Sequence, residues 1–298
     1  MRLKQPKISV VIPNYNRAAD LRRCLDSLVV QTFEDFEVFV CDDGSTDNSR
    51  DVAMSYIPSL DLRFDTADNF GGPARPRNRG IALARAPYIA FLDSDDWWTP
   101  NKLINSFKAL ESGADLVFHD LFIVRSANQS NYLEKIKSTR PQIPMFQSLL
   151  CIGMSIPNSS VVVRKTLLQQ IGGICEEREL ISVEDYDTWL ALARITERFV
   201  RLRDCDGYYW LGGGNISAAS PKQQSRIKAL YARHMDHLPV QSRRCAQGIL
   251  AYRIARIAQF HGDFDTALSY FKEALVLPIA ITYRVKAIYF AIRMVLAR

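Results

Sequence analysis

Apolar and polar positions along the first hundred residues follow two alternating rhythms. Lys7-Ile-Ser-Val-Val-Ile12, Glu37-Val-Phe-Val-Cys41 and Tyr88-Ile-Ala-Phe-Leu92 are near-continuous apolar runs bounded by breakers or acidic residues. Runs of that length predict strands of a mainly parallel sheet, buried on both faces. Between the first two, Leu21, Cys24, Leu25 and Leu28 fall at helical spacing, with Asn16 or Asp20 placed to cap the helix. Asp47-Asn48 opens a second helix through Met54, Leu62-Arg-Phe64 reads as a weak third strand, and a helix from about Ala74 to Arg85 follows the Asn69–Pro73 loop. Strand and helix alternate, so the class is a doubly wound α/β fold.

Past residue 100 the rhythm is less regular. A helix is expected over Lys102–Leu110, a strand over Asp115–His119, a polar irregular stretch over 126–144 and a strand over Ser160–Val163. Gly172-Gly173 follows a helix ending at Ile171, and Ser182-Val-Glu184-Asp185 opens an amphipathic helix through Trp189, Leu192 and Ala193. From Pro221 onward the pattern is helical throughout. Gly248–Phe260 and Phe264–Leu277 predict a hairpin around Gly262-Asp263, whose Ala267, Phe271, Ala274 and Pro278 resemble one tetratricopeptide unit. The expected organisation is an α/β domain over 1–218 and a C-terminal all-helical extension over 219–298.

Charge sharpens that division. The chain of 298 residues carries +6 overall. Thirteen Lys/Arg against four Asp/Glu put +9 on residues 221–298, leaving −3 on residues 1–220. The basic part reads either as a solvated face or as a surface for an anionic partner. In Ile279–Arg298, Ile281, Val285, Ile288, Ile292 and Val295 form an apolar stripe among four basic residues and no acidic ones. Such a helix lies on an anionic membrane surface or docks on its own domain. No nucleic-acid motif accompanies the charge. Six cysteines are scattered without a C-x-x-C, so neither zinc nor a disulfide framework is indicated, and a reducing compartment fits. The apolar run after the basic Met1–Lys7 is too short for a signal peptide, and no uncharged stretch approaches a membrane span. The expected location is the cytoplasm, with the tail a candidate for peripheral contact with the inner face of the cell membrane.

The chemistry is concentrated where two strands stop. One runs into Asp42-Asp43-Gly44-Ser45, the other into Asp93-Ser94-Asp95-Asp96. Ligands of open α/β sheets bind at the carboxyl ends of strands. Three carboxylates this close repel unless a cation joins them, and hard divalent ions such as Mg²⁺ or Mn²⁺ use one or two carboxylates together with substrate phosphates. Asp93, Asp95 and Asp96 therefore read as ligands of a metal–diphosphate site. The plainer alternative is a solvated loop in which Asp96 or Thr99 caps a helix beginning at Pro100. Asp43 is placed to bond a base or ribose and Arg77 to pair with phosphate or a base edge. Their plainer readings are a turn carboxylate and a surface charge. Neither G-x-G-x-x-G nor a P-loop is present.

Four blocks in order carry a resemblance. They are Ser9-Val-Val-Ile-Pro13-Asn-Tyr15-Asn16; Gln31-Thr-Phe33 with Val40-Cys-Asp42-Asp43-Gly44-Ser45-Thr46-Asp47; Asn69-Phe-Gly71 with Ala74-Arg-Pro-Arg77-Asn78-Arg-Gly80-Ile81; and Phe91-Leu-Asp93-Ser94-Asp95-Asp96. Together they resemble the family 2 glycosyltransferases of GT-A fold, of the bacterial surface-polysaccharide type, over about residues 7–215. The resemblance implies a nucleotide-diphosphate sugar donor, most often a UDP-sugar, and a glycan or lipid-linked glycan acceptor. It also implies Mn²⁺ or Mg²⁺ held by Asp95 with Asp93 or Asp96, inversion in one displacement, and nucleoside contacts from Pro13, Tyr15, Asp43 and Arg77. Glu184-Asp185 matches the family's acidic pair beside the acceptor hydroxyl, with Asp185 the base and Glu184 second; helix capping is the plainer reading.

One segment departs from the family pattern. Where relatives carry an aromatic-Arg segment ending in His near the metal, this chain has Tyr208-Tyr209-Trp210-Leu-Gly212-Gly213-Gly214-Asn215. Trp210 stands for the Arg and glycine for the His. Fewer positive contacts to the diphosphate are expected, with water or Asn215 in the histidine's place. The glycines suggest a segment able to close over the donor. His119 reads as a core histidine. The rival functions are a non-catalytic nucleotide-sugar-binding module and a nucleotidyltransferase of similar architecture; the latter would want a Gly-rich basic loop where Pro13-Asn-Tyr-Asn16 stands.

Overall fold

The computed structural model describes residues 5–153, 155–213 and 219–296. Its elements follow in chain order. The first group is β1 (Ile8–Asn14), α1 (Ala18–Val29), β2 (Phe36–Asp42), α2 (Ser49–Met54), β3 (Leu62–Thr66), α3 (Ala74–Leu83) and β4 (Tyr88–Phe91). Next come β5 (Trp97–Trp98), α4 (Lys102–Glu111), β6 (Leu116–Phe118), β7 (Leu121–Val124), β8 (Lys135–Ile136), α5 (Met145–Ile152), β9 (Val162–Arg164) and α6 (Lys165–Gln170). The last are α7 (Glu184–Ala193), β10 (Phe199–Arg201), β11 (Gly207–Trp210), α8 (Pro221–Met235), α9 (Val240–His261), α10 (Phe264–Val276) and α11 (Ile281–Leu296).

The described residues form two compact units. The α/β unit takes 5–141, 155–176 and 195–213; the helical unit takes 142–153, 177–194 and 219–296. The helical unit is thus larger than the 219–298 tail read from the sequence, because α5 and α7 belong with it. Residue 218, the expected boundary, lies outside the described residues.

A seven-stranded sheet in the order β10-β6-β9-β4-β1-β2-β3 organises the α/β unit. Its pairs are parallel except where β9 runs against β4 and β6, so the mixed, mainly parallel sheet expected from the sequence is present. Every residue of β1 is buried, as are all of β2 but the first. This is what continuous apolar runs demand of central strands. α3 lies close on this sheet because Gly80 has no side chain: a Cβ there would sit 2.5 Å from Val11 Cγ1 and 3.0 Å from Cys41 Sγ. Tyr88–Trp98 does not continue as one strand. It breaks at the acidic turn, and Trp97–Trp98 joins a second, four-stranded sheet, β5-β11-β7-β8. The latter three strands were not expected; β8 falls inside the stretch read as irregular, and β11 ends just before the glycines read as a closing segment.

The helical unit is built on α9 and α10, an antiparallel hairpin turning at Gly262, which takes the left-handed conformation at φ +88. Asp263 then caps α10 by accepting from Thr266 N at 3.1 Å. Ala267, Phe271 and Ala274 are fully buried, as the hairpin pattern requires, although α9 begins earlier than expected, at Val240. Among the described residues no helix is long and apolar enough to cross a membrane.

Candidate active site

β4, β1 and β2 lie side by side and run the same way. The chain goes from β1 outward to β2 and β3, while β4 lies on β1's other side. The carboxyl ends of β4, β1 and β2 therefore meet where the strand order reverses, the crevice in which α/β sheets bind ligands. The acidic turns after β2 and β4 both open there.

The floor of this crevice is stitched together by polar side chains. Asn14 Nδ2 donates to Asp42 Oδ1 at 2.9 Å. Asn16 takes a left-handed conformation, φ 49, which asparagine tolerates. Its N–H donates to Ser45 Oγ at 2.8 Å, and its Oδ1 accepts from Thr46 N at 2.8 Å. Asp47 Oδ2, from the β2 loop, accepts from Ala18 N at 3.0 Å and so serves the first turn of α1. The cap expected from Asn16 or Asp20 is supplied across the crevice instead. Tyr15 stands about half exposed at the rim, beside buried Pro13.

Asp43 and Arg77 are not surface groups. Asp43 is buried, and its carboxylate accepts from Phe70 N and Gly71 N at 3.0 to 3.2 Å. It folds the Asn69–Gly71 loop against the end of β2. Arg77 is 3% exposed and donates to Asp93 Oδ1 at 2.7 Å. Both residues expected to touch the nucleoside thus also hold the crevice in shape.

The three carboxylates after β4 have separate roles. Asp96 is 1% exposed; its Oδ2 accepts from Ser159 Oγ at 2.5 Å and its Oδ1 from Trp210 N at 3.0 Å. Burial, then the charges of Asp95 and Asp93, push its carboxyl well above the usual range. Expected among the metal ligands, Asp96 instead ties the turn to β11 and to the segment before β9. Nor does it or Thr99 cap the next helix through a side chain: α4 starts at Lys102 without one. Asp93 accepts from Arg77 and from Asn158 Nδ2 at 2.9 Å, both on Oδ1, so Oδ2 serves neither bond. Asp95 remains, its side chain a fifth exposed and 3.9 Å from the Arg17 guanidinium. Burial and the neighbouring Asp93 raise its carboxyl to about 6.

Sequence reasoning did not single out Arg17, Arg23, Asn158 or Ser159. Ser159 is a hub, accepting from Asp93 N at 3.1 Å while donating to Asp96. Its signal was a polar Pro157-Asn-Ser-Ser160 run directly before a buried strand. Arg23 donates to the Asp95 carbonyl at 2.9 Å, and its guanidinium lies 4.2 Å from the Trp97 ring and 4.5 Å from that of Trp210. The positive charge missing at position 210 is thus present on α1. Asn215, the residue expected with water to stand in for the histidine, lies outside the described residues. His119 is a core group: fully buried, bonded through Nδ1 to the Asp120 carbonyl at 2.8 Å, and held down to about 4 by burial and by Lys102.

Within the helical unit, α7 opens with the predicted acidic pair. Glu184 is 3% exposed, whereas Asp185 is half-buried and accepts from Tyr186 N at 2.7 Å. A third acid, Asp187, meets His234 Nε2 at 2.7 Å and Arg233 Nε at 3.3 Å. It anchors α7 to α8.

A doubly wound sheet with carboxylates at its switch point, a small second sheet and C-terminal helices is the GT-A architecture of nucleotide-sugar transferases. The chain belongs to glycosyl transferase family 2, whose family model matches residues 9–172. A validoxylamine A glucosyltransferase of Streptomyces hygroscopicus subsp. jinggangensis is 52% identical over 92 residues, 30% of this chain and 22% of that protein. The chain covers between 19% and 23% of the first curated relatives it matches. Among solved structures, S. aureus TarS 1–349 in complex with UDP-GlcNAc superposes with TM-score 0.65 at 21% identity, covering 90% of this chain and 81% of that one. The mannosyltransferase PcManGT from Pyrobaculum calidifontis, in complex with GDP-Man and Mn²⁺, gives TM-score 0.65 at 16% identity, covering 98% and 81%. These likenesses establish the fold, and family membership disfavours the nucleotidyltransferase and the non-catalytic module.

Proposed function

We propose that this protein transfers a sugar from a nucleotide-diphosphate sugar, a UDP-sugar, to a hydroxyl of a glycan or lipid-linked glycan, inverting the anomeric carbon, in surface-polysaccharide synthesis on the cytoplasmic side. The observation that carries the reading is Asp95: a desolvated carboxylate beside a second one, at the switch point of the sheet. The donor set suits a divalent ion bridged by donor phosphates better than a preformed cage. Among the described residues no group of three His, Cys, Asp or Glu is placed to hold a metal, and Mg²⁺ and Mn²⁺ sites of this kind need only one or two carboxylates. Asp95, with Asp93 Oδ2, would hold Mn²⁺ or Mg²⁺, which would neutralise charge developing on the departing diphosphate.

Contacts within each unit support the other proposed roles. Pro13, Tyr15 and the Asp43-organised loop receive the nucleoside. Arg77 fixes Asp93, and Arg17 and Arg23 bring positive charge to the phosphate side. Asp185 is the proposed base that takes the acceptor's proton, preferred over the more deeply buried Glu184. Direct displacement needs no covalent enzyme intermediate.

Calorimetry with UDP, GDP and dTDP, with and without Mn²⁺, on wild type and Asp95→Ala tests the proposal. Metal-dependent binding of one nucleotide, lost in the variant, is expected. Folded protein that binds none of the three would overturn it.

A further inference from the structure

α11 buries only one side. Ala287 and Met294 are its buried residues, while Ile281, Val285, Ile288, Ile292 and Val295 are between 47% and 70% exposed. At 100° per residue these five fall within one sector of the helix, on the side away from Ala287 and Met294. Arg284 borders that sector, its guanidinium on the Ile279 and Leu277 carbonyls at 3.3 and 3.0 Å, while Lys286 and Arg293 are exposed and stand about 80–100° beyond the other edge. Beside the stripe an apolar cavity of about 290 Å³ lies between α10 and α11, lined by Leu268, Phe271, Leu275, Ala291, Ile292 and Val295.

We infer that this face of α11 is a docking surface for an anionic lipid bilayer, with the helix lying in the interface plane. Charge decides between occupants. Residues 279–298 hold four basic and no acidic side chains, and residues 221–298 carry +9. A second copy meeting the stripe would bring cations against cations with no carboxylate on either helix to neutralise them. An anionic headgroup layer supplies that countercharge while the acyl boundary takes the isoleucines and valines. Lys286 and Arg293, exposed but well round the helix from the stripe, reach headgroups through their long aliphatic stems. The surface is independent of the nucleotide site and requires no spanning segment.

The test is co-sedimentation of the full chain with vesicles of phosphatidylcholine alone or mixed with phosphatidylglycerol. Binding to the mixed vesicles is expected, weakened by salt near about 0.5 M. Ile288→Asp/Ile292→Asp and Lys286→Glu/Arg293→Glu should each lower it more than about tenfold. These positions are exposed, and an unchanged circular dichroism spectrum and UDP titration would show that the variants fold. Absence of wild-type binding at low salt, or binding indifferent to both variants, overturns the inference. So does a wild-type dimer that Ile288→Asp/Ile292→Asp converts to monomer, which would assign the face to self-association. Failure of the nucleotide reading shows separately, as a silent UDP titration.

Discussion

Replacing Asp95 with Asn should stabilise the metal-free protein while abolishing metal-dependent nucleotide binding. The carboxyl is raised from 3.8 to about 6 by burial, then by Asp93, against the pull of Arg17. Roughly two units at about 1.36 kcal/mol each put the cost of the ionised form near 3 kcal/mol at neutral pH. The side chain is a fifth exposed, so about 1–3 kcal/mol is the expected gain for Asp95→Asn. The sign follows from linkage. Because the folded value is raised, Asp95 costs nothing well below pH 3.8, where it is protonated in both states; its cost accrues between about pH 4 and about pH 6 and is fully present above that. Urea unfolding in the presence of a chelator, at about pH 3 and about pH 7.5, should therefore show the two proteins equal at the lower pH and the variant more stable at the higher. Calorimetry with UDP and Mn²⁺ should show binding lost at the higher pH. An Asp95→Asn protein less stable than wild type near neutrality, or equally stabilised at both pH values, would refute the claim that this carboxylate is held against its preference.

Other outcomes follow from the same contacts. Ser159→Ala removes a donor from buried Asp96 and an acceptor from Asp93 N, and should cost about 2 kcal/mol in chemical denaturation while weakening UDP binding. Arg17→Ala should reduce the preference for UDP over UMP by about tenfold and leave uridine binding unchanged, read by calorimetry. Asp115 is 2% exposed. Against the upward pull of burial, its bonds from Arg198, Thr196 and Arg164 hold the carboxyl below its usual range. Its contribution is present above about pH 4 and lost as pH falls below that; Asp115→Asn should lower stability near neutrality by about 2–3 kcal/mol and flatten the acid limb of the stability–pH curve.

The parts of this molecule that were legible in sequence are those whose cause is local. β1, β2 and β4 are long apolar runs with breakers, and burial on both faces leaves little else for them to be. Glu184-Asp185 opens α7 because acids suit a first turn. The division of labour among Asp93, Asp95 and Asp96 was not legible, since it is set by Asn158 and Ser159, more than sixty residues on. The loop-organising bonds of Asp43 were not legible for the same reason: its partners are backbone N–H groups of a loop 27 and 28 residues away. β5, β8 and β11 hold two to four residues each and sit in no continuous aliphatic run of the kind that marks the equally short β4, so they exist only through their neighbours.

The stitching between the β1 and β2 loops has a practical corollary. Asn16, Ser45, Thr46 and Asp47 exchange bonds so that neither loop keeps its shape without the other, and α1 begins on a cap borrowed from the far side. Grafting a relative's β2 loop alone, to change which base is accepted, would strip α1 of its first-turn acceptor and leave Asn16 in a left-handed conformation with no reward. On the proposed assignment of the nucleoside site, nucleotide preference would belong to a two-loop cassette, and retargeting it would mean transplanting residues 13–18 and 42–49 as one piece.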